Sequence, residues 1–159
     1  MRGADRHGGW RNHYERTKRW QGRAASALND LPRTEFHEAL DFTLAYFVWC
    51  HSLREWLIQD NAIGGSLLDD ELSRHPEWKI VRDLANRTRH LEITRNPTDA
   101  GWLVFREYDP FAPEIEQRER HCLVLLFGGE RFQLVDLVGQ SGRMWLEVLT
   151  KLGLYKLVA

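Results

Sequence analysis

The chain has few of the residues that build disulfide scaffolds, zinc sites or membrane spans. Its two cysteines, Cys50 and Cys122, form no CxxC pair and no Cys/His spacing typical of zinc. We therefore expect reduced, buried thiols, as in cytoplasmic proteins. No window approaches 18 uncharged apolar residues, so we expect no membrane span and no membrane partner. The first residues also lack the apolar stretch of a secretory signal, which again favours a cytoplasmic protein.

Motifs of several common enzyme classes are missing as well. The glycine pairs at 64–65 and 128–129 lack the lysine and the strand–helix context of a phosphate loop. No Ser/His/Asp order with a nucleophile elbow is present. The acidic run at 69–71 is more typical of a solvated helix start than of a metal site. We accordingly predict no metal and no cofactor.

The charge of the chain is distributed unevenly along its length. Residues 1–24 carry seven Arg or Lys against Asp5 and Glu15, a net of +5, so the remainder carries −6 of the total −1. A basic first helix would meet RNA phosphate or an acidic partner, or would only complement the acidic body. The candidates for nucleic-acid contact are Arg11, Arg16, Lys18, Arg19 and Arg23.

Apolar spacing predicts an α+β chain, mainly α, with a helical bundle and a β-hairpin or small antiparallel sheet before the C-terminal helix. A period near 3.6 residues predicts helices at about 10–29, 33–60, 67–74, 77–93 and 141–152. Alternating apolar residues predict strands at about 102–108, 121–127 and 131–137. We expect one domain over 10–159, a disordered stretch over 1–9, Ser66 as the cap of the short helix, and Gly139 to Gly142 as the cap of the last helix, with Gly153 following its end.

The helix predicted at 77–93 carries a polar stripe beside its buried face. Its members recur at i, i+3, i+4 and i+7, and are Asp83, Asn86, Arg87 and His90. In the long second helix, His51 and Arg54 stand where a purely structural helix would carry Leu, and a desolvated Arg or His must be paired. We therefore expect the stripe to face His51 and Arg54, with Arg82 and Arg89 turned toward solvent.

Two segments of the chain resemble HEPN-type helical domains. The first, over 47–58, contains His51-Ser-Leu-Arg54-Glu-Trp, and the second, over 80–90, contains Arg82-Asp-Leu-Ala-Asn-Arg-Thr-Arg-His90. More narrowly, they look like an uncharacterised bacterial group with a His-x-x-Arg/Lys-Asp-Trp helix and an Arg-Asp-Ile/Leu-Ala-Asn-x-x-Lys-His helix. The hairpin and closing helix, over 123–154, also fit that group.

The resemblance implies a helical bundle that forms a homodimer or joins a partner protein. It also implies a metal-independent endoribonuclease of a bacterial defence or toxin–antitoxin system. The family motif is an Arg, four to six residues, then His, so His90 would be the catalytic histidine and Arg82-Asp83 the Arg-polar pair. Seven residues separate Arg82 from His90, so the arginine is alternatively Arg54 of the second helix.

The chemistry of such a ribonuclease needs few groups. A neutral imidazole removes the proton of a ribose 2′-OH, and a guanidinium stabilises the charge that builds on the phosphorus. The candidates for acid–base work are His90 and His51, those for the phosphate are Arg54, Arg82 and Arg87, and those for orienting the imidazole are Asp83 and Asn86. The need for a 2′-OH makes the substrate RNA.

Two other functions fit the same residues. The polar stripe, His51 and Arg54 would form a hydrogen-bonded contact between two helices in a non-catalytic module that dimerises or docks onto a larger assembly. Alternatively, the chain would bind RNA through its basic first helix. The remaining histidines are expected to lie on the surface or to fill the core, and they are His7, His13, His37, His75 and His121.

Overall fold

The computed structural model describes residues 8–89, 101–109 and 120–155. These residues form five helices and three strands, in the order α1 (Gly9–Leu28), α2 (Phe36–Gln59), α3 (Gly65–Ser73), α4 (Pro76–Arg89), β1 (Leu103–Asp109), β2 (Arg120–Phe127), β3 (Glu130–Gln133) and α5 (Leu134–Lys151). The predicted class is confirmed, since the fold is mainly helical with a small antiparallel sheet before the C-terminal helix.

Helix α2 lies at the centre of the bundle, because its apolar surface is too wide to be covered by one neighbour. Helices α1, α4 and α5 all pack against it. Its fully buried side chains include Tyr46, Phe47, Leu53 and Leu57. The indole Nε1 of Trp145 in α5 donates to a carbonyl oxygen of α2 at 2.9 Å. None of the helices in the described ranges is long and apolar enough to cross a bilayer.

The sheet is a meander in the order β1-β2-β3 with both pairs antiparallel. Leu103 of β1 lies opposite Leu126 of β2, and Val124 of β2 lies opposite Gln133 of β3. The hairpin between β2 and β3 turns on Gly128 and Gly129, which both have positive φ, at 58° and 79°. Two consecutive residues with positive φ are what a type I′ turn requires, and glycine adopts that conformation without strain.

The predicted start of the last helix was wrong. Strand β3 ends at Gln133, and α5 begins at Leu134, so the residues predicted as the end of a strand form the first turn of the helix. The physical reason is burial, because Leu134, Leu137 and Val138 recur at helical spacing and all face the core. The predicted cap residues Gly139 and Gly142 therefore lie inside the helix.

Smaller corrections concern the other helix ends. Helix α3 begins at Gly65 after Gly64 as N-cap, so Ser66 lies inside the helix and is not its cap. Helix α2 begins three residues later than predicted, since residues 29–33 form turns. Gly9 already belongs to α1, and residues 1–7 lie outside the described residues, as do 90–93 of the predicted fourth helix. The predicted end of the last helix is confirmed, because Gly153 has φ 73° and the Leu154 amide donates to the Leu149 carbonyl at 2.9 Å.

The two mid-helix glycines of α5 provide a matched test of its start. A Cβ on Gly139 would meet only Arg143 Nη1, at 3.5 Å, so Gly139→Ala should raise the free energy of unfolding by roughly 0.5–1 kcal/mol. A Cβ on Gly142 would stand 2.1 Å from Nε2 of Gln21, whose amide donates to the Val138 carbonyl at 3.2 Å. Gly142→Ala should therefore gain less or lose stability, as measured by urea unfolding.

A destabilising Gly139→Ala would contradict this start for α5. That result would place Gly139 in a cap or turn outside the regular helix.

Candidate active site

One side of α4 carries an indole, two guanidinium groups and an amide. Trp78, Arg82, Asn86 and Arg89 lie within about a quarter turn of the helix at roughly 100° per residue. His51 of α2 lies against this stripe. Its ring stacks on Trp78 with 5.3 Å between ring centroids and 23° between planes, and Trp78 meets Trp145 edge-on. The imidazole is therefore held in a fixed plane by an aromatic side chain that is itself anchored in the core.

Arg89 holds the edge of the same imidazole. Its Nη2 donates to Nδ1 of His51 at 3.1 Å and to Oδ1 of Asn86 at 3.0 Å. An arginine only donates, so Nδ1 carries the lone pair and the proton of the neutral ring lies on Nε2. Arg89 itself is exposed, whereas His51 is half-buried. The contact therefore connects a half-buried imidazole to a side chain at the surface.

The surroundings of His51 keep its ring neutral. Burial lowers the pKa of His51 to about 4, and the positive charges of Arg89, Arg54 and Arg82 act in the same direction. At neutral pH the site is therefore an unprotonated imidazole among three guanidinium groups. A neutral base beside cations is the charge arrangement that phosphodiester chemistry uses.

Arg54 is committed to α3 and not to α4, so the prediction that it faces the polar stripe was wrong. Its Nε and Nη2 donate to the two carboxylate oxygens of Asp69 at 2.7 and 2.9 Å, and its Nη1 donates to Glu55. This guanidinium holds the pKa of Asp69 below its ordinary value. Two carboxylates thus neutralise Arg54, and the pair with Asp69 fixes α3 against α2. Few N–H donors of this guanidinium remain for a phosphate.

The other predicted members of the stripe point in different directions. Asp83 is fully buried and accepts a hydrogen bond from Arg82 Nε at 3.2 Å. The guanidinium of Arg87 lies 5.1 Å from the ring centroid of Trp102, next to the sheet. His90 lies outside the described residues. Of the predicted stripe, the structure brings Asn86 to the His51 site through its bond to Arg89.

Arg89 is the site residue that the sequence analysis missed, since it was expected to face solvent alone. The signal was its spacing of seven residues from Arg82 and eleven from Trp78, which repeats on one side of a helix. His13 was expected on the surface or in the core, and it lies fully buried between α1 and α2. Its Nε2 donates to the Trp49 carbonyl at 3.0 Å, while burial lowers its pKa.

The basic residues of α1 form a separate surface. Three guanidinium groups lie over indole rings, at 4.6 Å for Arg11 on Trp10, 5.2 Å for Arg16 on Trp49 and 4.8 Å for Arg23 on Trp20. Lys18 differs, because it pairs with Glu15 at 2.7 Å. Helix α1 meets α2 at residues 49 and 52, whereas α4 meets it at residue 51, so the basic surface and the His51 site lie on different sides of α2.

No group of three or more His, Cys, Asp or Glu within 8–89, 101–109 and 120–155 is placed to hold a metal ion. Comparison of the chain with protein-family models, curated proteins and solved structures found no match. The resemblance to HEPN-type domains therefore stays a prediction.

The pKa of His51 predicts how stability depends on pH. The unfolded chain binds more protons at His51 between about 4 and the ordinary value of 6.5, so this histidine makes the fold lose stability as pH falls through that range. His51→Gln should flatten the decline of the thermal midpoint between pH 6.5 and 4. His37→Gln, at an exposed position, is the control and should leave that decline as in the wild type. Identical pH profiles for wild type and His51→Gln would contradict the buried, neutral imidazole.

Proposed function

We propose that the protein is a metal-independent endoribonuclease with a HEPN-like fold, whose active site consists of His51, Arg89 and Arg82. The observation that supports this most directly is the half-buried, neutral imidazole whose Nδ1 is bonded to an exposed guanidinium. The charge state suits a base, and the exposed cation suits a phosphate. A role in bacterial defence or a toxin–antitoxin system is the part of the proposal that comes from the resemblance alone.

The proposed reaction is an internal transfer at one phosphodiester of RNA. The 2′-OH gives its proton to Nδ1 of His51, the 2′-oxygen forms a bond to phosphorus, and the bond from phosphorus to the 5′-oxygen breaks. The departing 5′-oxygen takes a proton either from water or from a protonated His90, the histidine that the resemblance assigns as catalytic. The hydroxide or neutral His90 that remains then receives the proton of His51, directly or through water. The products are a 2′,3′-cyclic phosphate and a 5′-hydroxyl, and His51 is neutral again.

The remaining residues have distinct roles in this proposal. Arg89 binds the non-bridging oxygens of the phosphate, and Arg82, whose side chain is 38% exposed, supplies a second positive charge beside it. Asn86 orients Arg89 through its amide oxygen. Trp78 keeps the imidazole in its plane. Arg54 contributes by fixing α3 against α2, because its fork is taken by Asp69.

Cleavage of single-stranded RNA in EDTA tests the proposal. His51→Ala and Arg89→Ala should each lower the rate by about 100-fold or more, the typical effect of a missing general base or charge-stabilising group. The exposed His37→Ala should keep the wild-type rate, and a fully 2′-deoxy oligonucleotide should remain intact. His90→Ala tests separately whether the resemblance assigns the acid correctly. Equal cleavage by wild type and His51→Ala, or no cleavage by either, would favour a non-catalytic module that binds a second copy or a partner protein.

We propose RNA binding through α1 as a second candidate function, because one observation favours it. Arg11, Arg16 and Arg23 lie over aromatic rings, and among the described residues none of them has a carboxylate within ion-pair distance. Guanidinium groups that rest on rings keep their donors for phosphate, and the exposed Arg19 adds a further charge. Lys18 contributes less, since Glu15 already neutralises it.

Salt-dependent binding of a fluorescent RNA oligonucleotide tests this second candidate. Replacing Arg11, Arg16, Arg19 and Arg23 by Gln should weaken binding and reduce the slope of log affinity against log salt by about 0.7 for each lost phosphate contact on a single strand. Arg74→Gln is the matched control, because Arg74 is exposed but pairs with Glu71 on α3. An unchanged slope in the fourfold variant would remove α1 from any RNA contact.

A further inference from the structure

Arg89 of the candidate site is already bonded at the nitrogen that a bidentate phosphate would need. A guanidinium offers two bidentate edges, one from Nε with Nη2 and one from Nη1 with Nη2, and both include Nη2. The two protons of Arg89 Nη2 already point to Asn86 and to Nδ1 of His51. A phosphate that takes either edge of Arg89 must therefore break one of these two bonds.

The same bond blocks the base. The lone pair of His51 Nδ1 is the acceptor of the Arg89 bond, and Nε2 holds the proton of the neutral ring. While this bond exists, His51 has no free lone pair with which to remove a proton. Its low pKa of about 4 also makes it a weak base in that state. In this state Arg89 covers the lone pair that His51 would need as a base, and His51 occupies a proton that Arg89 would need for a phosphate. We call the base masked in this state.

We propose, on the basis of the ribonuclease function above, that the phosphodiester anion itself unmasks the base by drawing Arg89 away from Nδ1 of His51. The bond to His51 yields in preference to the bond to Asn86 because Asn86 lies on the same helix, three residues from Arg89, and moves with it. Arg89 then holds the phosphate, and the freed Nδ1 faces the 2′-OH of the nucleotide that Arg89 has positioned.

The charges around the site favour the same change. The guanidinium groups that disfavour a proton on His51 are those of Arg89 and Arg82 from α4 and of Arg54 from α2. Arg54 is offset by Asp69 of α3 and by Glu55, and Arg82 is bonded to the buried Asp83. A bound phosphate adds negative charge next to Arg89, so the pKa of His51 rises as the base becomes free. An uncharged phosphodiester analogue cannot cause this release.

The pKa of His51 in the intact protein, followed by NMR of its ring nitrogens, tests the proposal directly. Inorganic phosphate, or a 2′-deoxy dinucleotide that lacks the attacking hydroxyl, should raise this pKa and increase proton affinity about tenfold or more, while chloride at equal ionic strength should not. His13, which lies buried on the α1 side of α2, is an internal control whose titration should stay unchanged.

Two variants separate the exchange of Arg89 from a general anion effect. Arg89→Gln should show a raised pKa of His51 without any anion and no further rise with phosphate. Arg89→Lys keeps the charge but has no fork, so its rise should be smaller than in wild type. An unchanged pKa of His51 with phosphate, or an equal rise in Arg89→Gln, would overturn the proposal.

Failure of the ribonuclease function would be visible separately. RNA cleavage with an unresponsive His51 would leave the ribonuclease and refute the unmasking. If phosphate raises the pKa of His51 but RNA is not cleaved, the ribonuclease function and the role of His51 as its base are refuted. The contact between α2 and α4 would then still respond to anions.

Discussion

The bundle depends on the need to cover α2. This helix carries bulky apolar side chains on more than one side, so a single neighbour cannot remove them from water. Helices α1, α4 and α5 pack around it, and every polar group that enters these contacts needs a partner. Tyr46 therefore bonds to Ser141 of α5 at 2.7 Å, and His13 of α1 bonds to the carbonyl of Trp49. The polar contacts follow from the apolar packing and fix the register of the helices.

His51 meets the same requirement in a different way. The partner of His13 is a backbone carbonyl inside the bundle, whereas the partner of His51 is the guanidinium of an exposed side chain. A backbone carbonyl cannot leave, but an arginine at the surface can exchange its acceptor for an anion from solvent. Both histidines have a lowered pKa through burial, so the pKa alone does not distinguish a structural histidine from a functional one. What differs between the two histidines is the exposure of the partner, because Arg89 lies at the surface.

Much of the fold follows from local patterns in the sequence. The errors arise where packing between distant elements decides the structure. Periodicity was enough for α1, α2 and α4, because their apolar residues recur over many turns. The start of α5 was missed because Phe132 and Leu134 flank the polar Gln133 as in a strand, and only the packing of Leu137 and Val138 shows a helix. At the site, the sequence predicts which residues share a side of α4, but not where around that helix α2 lies. The side of α4 that faces His51 was therefore predicted at the wrong angle around the helix axis, and Arg89 was expected to face solvent.

The geometry also changes how the competing interpretations relate to each other. A hydrogen-bonded contact that joins two helices and a catalytic site were considered as alternatives, because a satisfied group is not available for chemistry. In the proposed unmasking, the two are successive states of the same atoms, since the bond from Arg89 to His51 uses an Nη2 proton that a bidentate anion would need. A site of this kind is satisfied without its ligand, so the hydrogen bond on Nδ1 of His51 is no argument against function. The stability of the free state then sets how strongly the anion must bind before the base is released.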